Sequence, residues 1–120
     1  MNSVFVVEDS RTDAELISLS LQKAGFSVSL VGSGEEAEQK LQNLKPNLIL
    51  LDVILPGQSG FELCRKLKAN PATQNIPIVI CSTKGTDVDK TWGRMGGADD
   101  YLTKPLNPTE LIDTVKRWIR

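Results

Sequence analysis

The sequence predicts one α/β domain: a doubly wound sheet of five parallel strands, each followed by a helix. Three observations carry that prediction. Residues 48–51 and 77–81 are uninterrupted apolar runs of strand length, as expected of strands buried on both faces. Helix-start signals follow the strand-like runs. Strand and helix patterns alternate strictly through five units, which implies parallel strands joined by right-handed crossovers.

The elements follow in order. Val4, Phe5, Val6 and Val7 form a β-branched and aromatic run that ends in Glu8 and Asp9. Residues 10–13 resemble a capping signal, and Ala14, Ile17, Leu21 and Ala24 recur at helical spacing up to Gly25. Residues 26–30 alternate apolar and polar, so the second strand is expected at an edge. Ser33 and Glu36 form a capping box for a second helix with Ala37, Leu41 and Leu44 as its buried stripe and Pro46 as its stop. The third strand leads into Asp52, and Pro56 closes its loop. Ser59 and Glu62 open a third helix that buries Phe61, Cys64 and Leu67 or Leu63, and Asn70–Pro71 ends it.

The fourth strand, 77–81, runs into Ser82, Thr83 and Lys84. Thr86 and Asp89 open a fourth helix with Trp92, Met95 and three glycines near its end. It is expected to be the least stable, since an interior glycine costs about 1 kcal/mol relative to alanine. Residues 100–104 form the fifth strand. Asn107, Pro108 and Glu110 start a last helix carrying Leu111, Ile112, Val115 and Ile119.

At 120 residues the chain is large enough for one domain with a real core, spanning 1–120. A net charge of −1 gives no reason to expect direct nucleic-acid binding. The absence of histidine removes histidine bases, histidine metal ligands and histidine-dependent triads together. Cys64 and Cys81 lie in apolar segments and read as reduced core residues. No basic leader and no run near ~18 apolar residues is present, so a soluble, cytoplasmic protein without membrane insertion is expected.

Chemistry concentrates at the carboxyl ends of the strands, where open α/β sheets place their ligands. Glu8 and Asp9 end the first strand, Asp52 the third, Ser82 the fourth and Lys104 the fifth. Singly, each has a structural reading as a strand cap, loop acid or solvated side chain. With strand order 2-1-3-4-5, however, Glu8, Asp9 and Asp52 converge, and three close carboxylates call for a cation. All-oxygen donors with room for water point to Mg²⁺ rather than zinc. An aspartate beside such an ion can be a nucleophile towards phosphorus. Lys104 would then supply fixed positive charge and Ser82 a hydrogen bond.

These residues, with Pro56, Gly60, Tyr101 and Pro105, resemble the receiver domain of two-component response regulators, the family of the chemotaxis regulator, over essentially the whole chain. The resemblance implies a flavodoxin-like (βα)5 fold and phosphoryl transfer to Asp52 from the phosphohistidine of a histidine kinase. It implies Mg²⁺ held by Glu8, Asp9, Asp52 and the main-chain carbonyl of Ile54. It also implies a switch pair in Ser82 and Tyr101, and a cis bond before Pro105. The chain would be a signalling switch, with self-catalysed phosphotransfer and autodephosphorylation only, rather than an enzyme. Its output would be protein–protein contact through a surface carrying Trp92, Tyr101 and Lys104.

Within residues 82–105, Thr83 and Lys84, the Asp89, Lys90, Trp92, Gly93 element and the Tyr101–Pro105 ending resemble stand-alone regulators of type IV pilus twitching motility and cyanobacterial phototaxis. That likeness implies a motility or taxis protein as downstream partner. Three departures from the family pattern stand out. Glu8 replaces the common Asp with a longer arm, Thr83 replaces a small residue beside the phosphate, and apolar Ile54 flanks the path of hydrolytic water, with Lys84 across it. Ile54 is expected to slow hydrolysis of the phosphoaspartate.

Other readings compete. Gly32, Gly34 and Ala37 match a dinucleotide fingerprint, but they follow the second strand and are accounted for by the Ser33–Glu36 cap. A haloacid-dehalogenase-type phosphatase wants a second Asp where Ile54 stands. A phosphate sink or relay without its own output, a non-phosphorylated interaction module, and a receiver fragment of a longer transcriptional regulator are the remaining alternatives.

Overall fold

The computed structural model describes residues 2–83 and 85–119. Five parallel strands, β1 (Ser3–Val7), β2 (Ser27–Val31), β3 (Leu48–Leu51), β4 (Ile78–Ser82) and β5 (Asp100–Thr103), lie in the order β2-β1-β3-β4-β5. Helices α1 (Arg11–Lys23), α2 (Gly34–Lys40), α3 (Gly60–Ala69), α4 (Asp87–Met95) and α5 (Pro108–Trp118) alternate with them. The edge position predicted for β2 is observed.

The alternation of side chains along a strand builds two cores from one sheet. Val4, Val6, Leu48, Leu50, Val79, Cys81 and Leu102 meet Ile17 and Leu21 of α1 and Leu111 and Val115 of α5. Phe5, Val7, Ile49, Leu51 and Ile78 meet Ala37 of α2 and Leu63, Cys64 and Leu67 of α3. Fully apolar strand sequences are the direct consequence of having both faces covered. Burial pushes the Cys64 thiol up to about 11 and the Cys81 thiol up as well, so both stay protonated, inert core residues.

Three details differ from expectation. Helix α2 ends at Lys40, well before Pro46, because Leu41 turns in as its cap. Leu44, expected in the buried stripe, therefore lies beyond the helix and is exposed. In α3 the buried face is Leu63, Cys64 and Leu67, with Phe61 only half-buried. In α5 the polar Thr114 joins Leu111 and Val115 inside, while Ile119 caps the helix end.

Helix α4 begins with a complete capping box between Thr86 and Asp89, yet its only buried residue is Gly93. A methyl group there would come 3.2 Å from Ile80 Cδ1 and 3.2 Å from Tyr101 Cδ2. Val88, Trp92 and Met95, spaced four and three residues apart, face outward, and Trp92 is 53% exposed. An amphipathic helix that buries a glycine and exposes its large apolar side chains is weakly anchored to its own domain.

Candidate functional site

The site forms where four of the five strands end. Strand β1 delivers Glu8, whose N–H donates to Val31 O at 3.0 Å. Strand β3 delivers Asp52, whose N–H donates to Val7 O at 3.0 Å, so the sheet ladder itself brings the two acids side by side. Both are buried. Gly60 holds the loop after Asp52: its N–H donates to Val53 O at 2.8 Å, and an added Cβ would lie only 2.0 Å from the Asp52 carbonyl oxygen. Lys104 follows β5, its N–H donating to Ser82 O at 2.8 Å, and the bond to Pro105 is cis.

The Lys104 ammonium closes the site. Its Nζ lies 2.6 Å from Glu8 Oε1, 2.9 Å from Asp13 Oδ2 and 3.2 Å from Asp52 Oδ2. Only 7% of the lysine side chain is exposed. Lys104 is therefore not part of an outward partner surface, as the sequence reading had it. Its charge is spent inside the site.

Burial pushes the Glu8 carboxyl up from an ordinary 4.5 to about 7; hydrogen bonds from Lys104 and the Ser10 backbone oppose that rise, and the charge of Asp52 adds to it. Burial works against the Lys104 ammonium too, but its bonds to Glu8 and Asp13 and the charge of Asp52 outweigh it and raise Lys104 above its ordinary 10.5. The site thus holds a firmly charged lysine beside an acid whose ionised form burial disfavours.

The expected convergence of Glu8, Asp9 and Asp52 takes a different form. Glu8 and Asp52 meet around Lys104, while Asp9 lies past the end of β1 and is exposed. Among the described residues no three acidic or other ligating side chains are gathered as a ready metal cage. The Lys104 ammonium lies against both buried acids and offsets one of their two charges. The expected donor set, carboxylates and a main-chain carbonyl, still matches a hard oxygen-seeking cation in kind, and one ammonium against Glu8 and Asp52 leaves net negative charge for such a cation to meet.

Ser82 is fully buried at the end of β4. Burial, reinforced by the charge of Asp89, raises Tyr101 above its ordinary 10, and a side-chain hydrogen bond with Ser82 opposes that rise. The predicted switch residues are therefore in contact. Ile54 is 57% exposed at the mouth, its N–H donating to Asp52 Oδ1 at 3.4 Å. Thr83 is exposed beside Ser82, and Lys84, expected across the water path, lies outside the described residues. Asp13 is the residue the sequence reading missed. Its place three residues after Ser10 suggested only a helix cap.

Residues 4–116 match the response regulator receiver domain. The chain belongs to that family. This receiver domain is 40% identical over 117 residues to the phosphate regulon transcriptional regulatory protein PhoB of Rhizobium meliloti, covering 98% of the chain and 52% of the relative. It is 38% identical over 117 residues to the DNA-binding response regulator MtrA of Mycolicibacterium paratuberculosis, covering 98% and 51%. It thus spans about half the length of these curated relatives. Among solved structures, chemotaxis response regulator CheY4 of Vibrio cholerae superposes with a TM-score of 0.92 at 32% identity, covering 98% of both chains. The doubly wound order and the five helices are those of the CheY-like, flavodoxin-like fold.

Proposed function

We propose that this receiver domain is a phosphorylation-dependent signalling switch in which Asp52 takes a phosphoryl group from the phosphohistidine of a histidine kinase. The observation that carries the reading is Asp52 itself, a buried carboxylate at the mouth of the sheet with a lysine ammonium 3.2 Å away. An Asp52 oxygen attacks phosphorus and the P–N bond breaks. The electron pair returns to the kinase imidazole, which regains a proton, leaving an acyl phosphate on Asp52. Glu8, Asp9, Asp52 and the Ile54 carbonyl are the residues that would hold Mg²⁺. When bound, the ion supplies charge neutralisation for the transferring group. Lys104 offers its ammonium to the phosphoryl oxygens once Asp52 is phosphorylated. Turnover is confined to self-catalysed transfer and autodephosphorylation, with hydrolysis held back by apolar Ile54 at the mouth.

Acceptance of phosphate gives the Ser82 hydroxyl a new acceptor and breaks its bond to Tyr101. The freed Tyr101 ring, packed over Gly93, then shifts the α4–β5 face bearing Val88, Trp92 and Met95. That face is the output surface, read by protein–protein contact, and Trp92 is its anchor. Capture of partners with and without beryllofluoride and Mg²⁺ tests this reading. Tyr101→Ala is expected to abolish the difference between the two states, and a variant that kept both binding and its dependence on the mimic would refute the switch.

A type IV pilus or taxis pathway rests on the motif in residues 82–105 alone. A second output is favoured by the 38% identity to the DNA-binding response regulator MtrA over about half that protein's length: the same switch coupled to a DNA-binding partner domain.

A further inference from the structure

Asp13 is bonded to Lys104 although it belongs to neither the reacting carboxylate nor the expected metal ligands. The local structure explains how it becomes available. Ser10 caps α1, its hydroxyl oxygen accepting the Asp13 N–H at 3.4 Å. In a complete capping box the third helical residue accepts the cap residue's N–H in return. Asp89 does this at α4, its Oδ2 accepting the Thr86 N–H at 3.2 Å. At α1 the Ser10 N–H goes instead to Glu8 Oε2 at 3.1 Å. Asp13 is thereby released from capping, and its carboxylate reaches Lys104 Nζ at 2.9 Å.

An ammonium has three protons to donate and no acceptor site. Lys104 gives them to Glu8, Asp13 and Asp52. Two of those acceptors change on phosphorylation: Asp52 becomes an acyl phosphate, and Glu8 is committed to the cation. Asp13 changes in neither way. Its side chain is 37% exposed where that of Glu8 is 2% exposed, so the lysine is held between a rim carboxylate and a deep one. Without the rim partner the ammonium collapses towards Glu8, away from an incoming phosphoryl group.

We propose that Asp13 is a positioning residue that keeps the Lys104 ammonium at the mouth of the site while Asp52 passes from carboxylate to acyl phosphate. The inference rests on Asp52 being the phosphoryl acceptor. Two measurements test it. In the metal-free protein, the ¹H–¹⁵N signal of the Lys104 ammonium should be protected from exchange in wild type and lost in Asp13→Ala. With acetyl phosphate and Mg²⁺, Asp13→Ala should take up the phosphoryl group, releasing acetate, about tenfold more slowly, Asp13→Glu should recover part of the rate, and Asp13→Ala in a Lys104→Met background should add nothing. Unchanged signal and rate in Asp13→Ala, or an equal further loss without Lys104, would overturn the inference. Failure of wild type to take up phosphate would instead overturn the reading of Asp52.

Discussion

Lys104 and Glu8 form the tightest ion pair of the site, 2.6 Å apart and almost wholly buried. The same ammonium lies 3.2 Å from Asp52, so one lysine serves two buried acids. Removing one member of a buried pair costs more than the pair contributes, because the other charge is left without a partner. Lys104→Met is therefore expected to destabilise the metal-free domain by about 3 kcal/mol at pH 8. The cost should shrink at pH 5, where Glu8 takes up a proton, and urea denaturation at the two pH values checks both.

The Glu8 carboxyl also sets a pH dependence of stability. Its folded value, about 7, lies above its ordinary 4.5. Between those values the folded domain keeps a proton that the unfolded chain has lost, so metal-free stability falls as pH rises through this window, by about 3 kcal/mol at most. Lys104 acts at the other end: its raised value contributes stability below 10.5 that is lost as pH climbs above it. Thermal melts from pH 4.5 to 7 should show the fall in wild type and a flatter curve in Glu8→Gln.

Gly60 joins the site to the fold. A Cβ at 2.0 Å from the Asp52 carbonyl oxygen would push backbone against backbone, with no flexible side chain to yield. Gly60→Ala is expected to cost about 3 kcal/mol and to displace Asp52. A melting temperature equal to that of wild type would mean that the β3–α3 loop is looser than described.

If Asp52 carries the phosphoryl group, Ile54 is expected to set the lifetime of the phosphorylated state. Its exposed side chain stands beside Asp52 and offers water no hydrogen bond. Ile54→Asn is expected to speed loss of phosphate by about tenfold, measured as decay of the phosphorylated protein after the donor is removed. An unchanged or slower decay would remove Ile54 from this role.

How much of this was legible in the sequence depended on whether the signal was local. The apolar runs at β3 and β4 and the cap residues at each helix start specify their elements by nearest-neighbour chemistry, so the fold and the positions of Asp52, Ser82 and Lys104 could be read directly. The end of α2 could not: Leu41 joins the core of Phe5 and Val31 as a helical residue would and still donates its N–H to Ala37 O at 2.9 Å, yet it is the helix cap, five residues before the Pro46 stop signal. Asp13 was hidden too. Its spacing from Ser10 is that of a cap, and only the capture of the Ser10 N–H by Glu8, a contact set by where β1 ends, frees it for Lys104. The one-dimensional pattern also grouped Asp9 with Glu8, while the end of β1 sends them to different environments.

Whether Asp52 accepts the phosphoryl group is read out by intact-protein mass spectrometry after incubation with acetyl phosphate and Mg²⁺. Wild type is expected to gain the mass of one phosphoryl group, a gain removed by hydroxylamine and absent in Asp52→Asn. No gain in wild type, or an undiminished gain in Asp52→Asn, would contradict phosphorylation of Asp52.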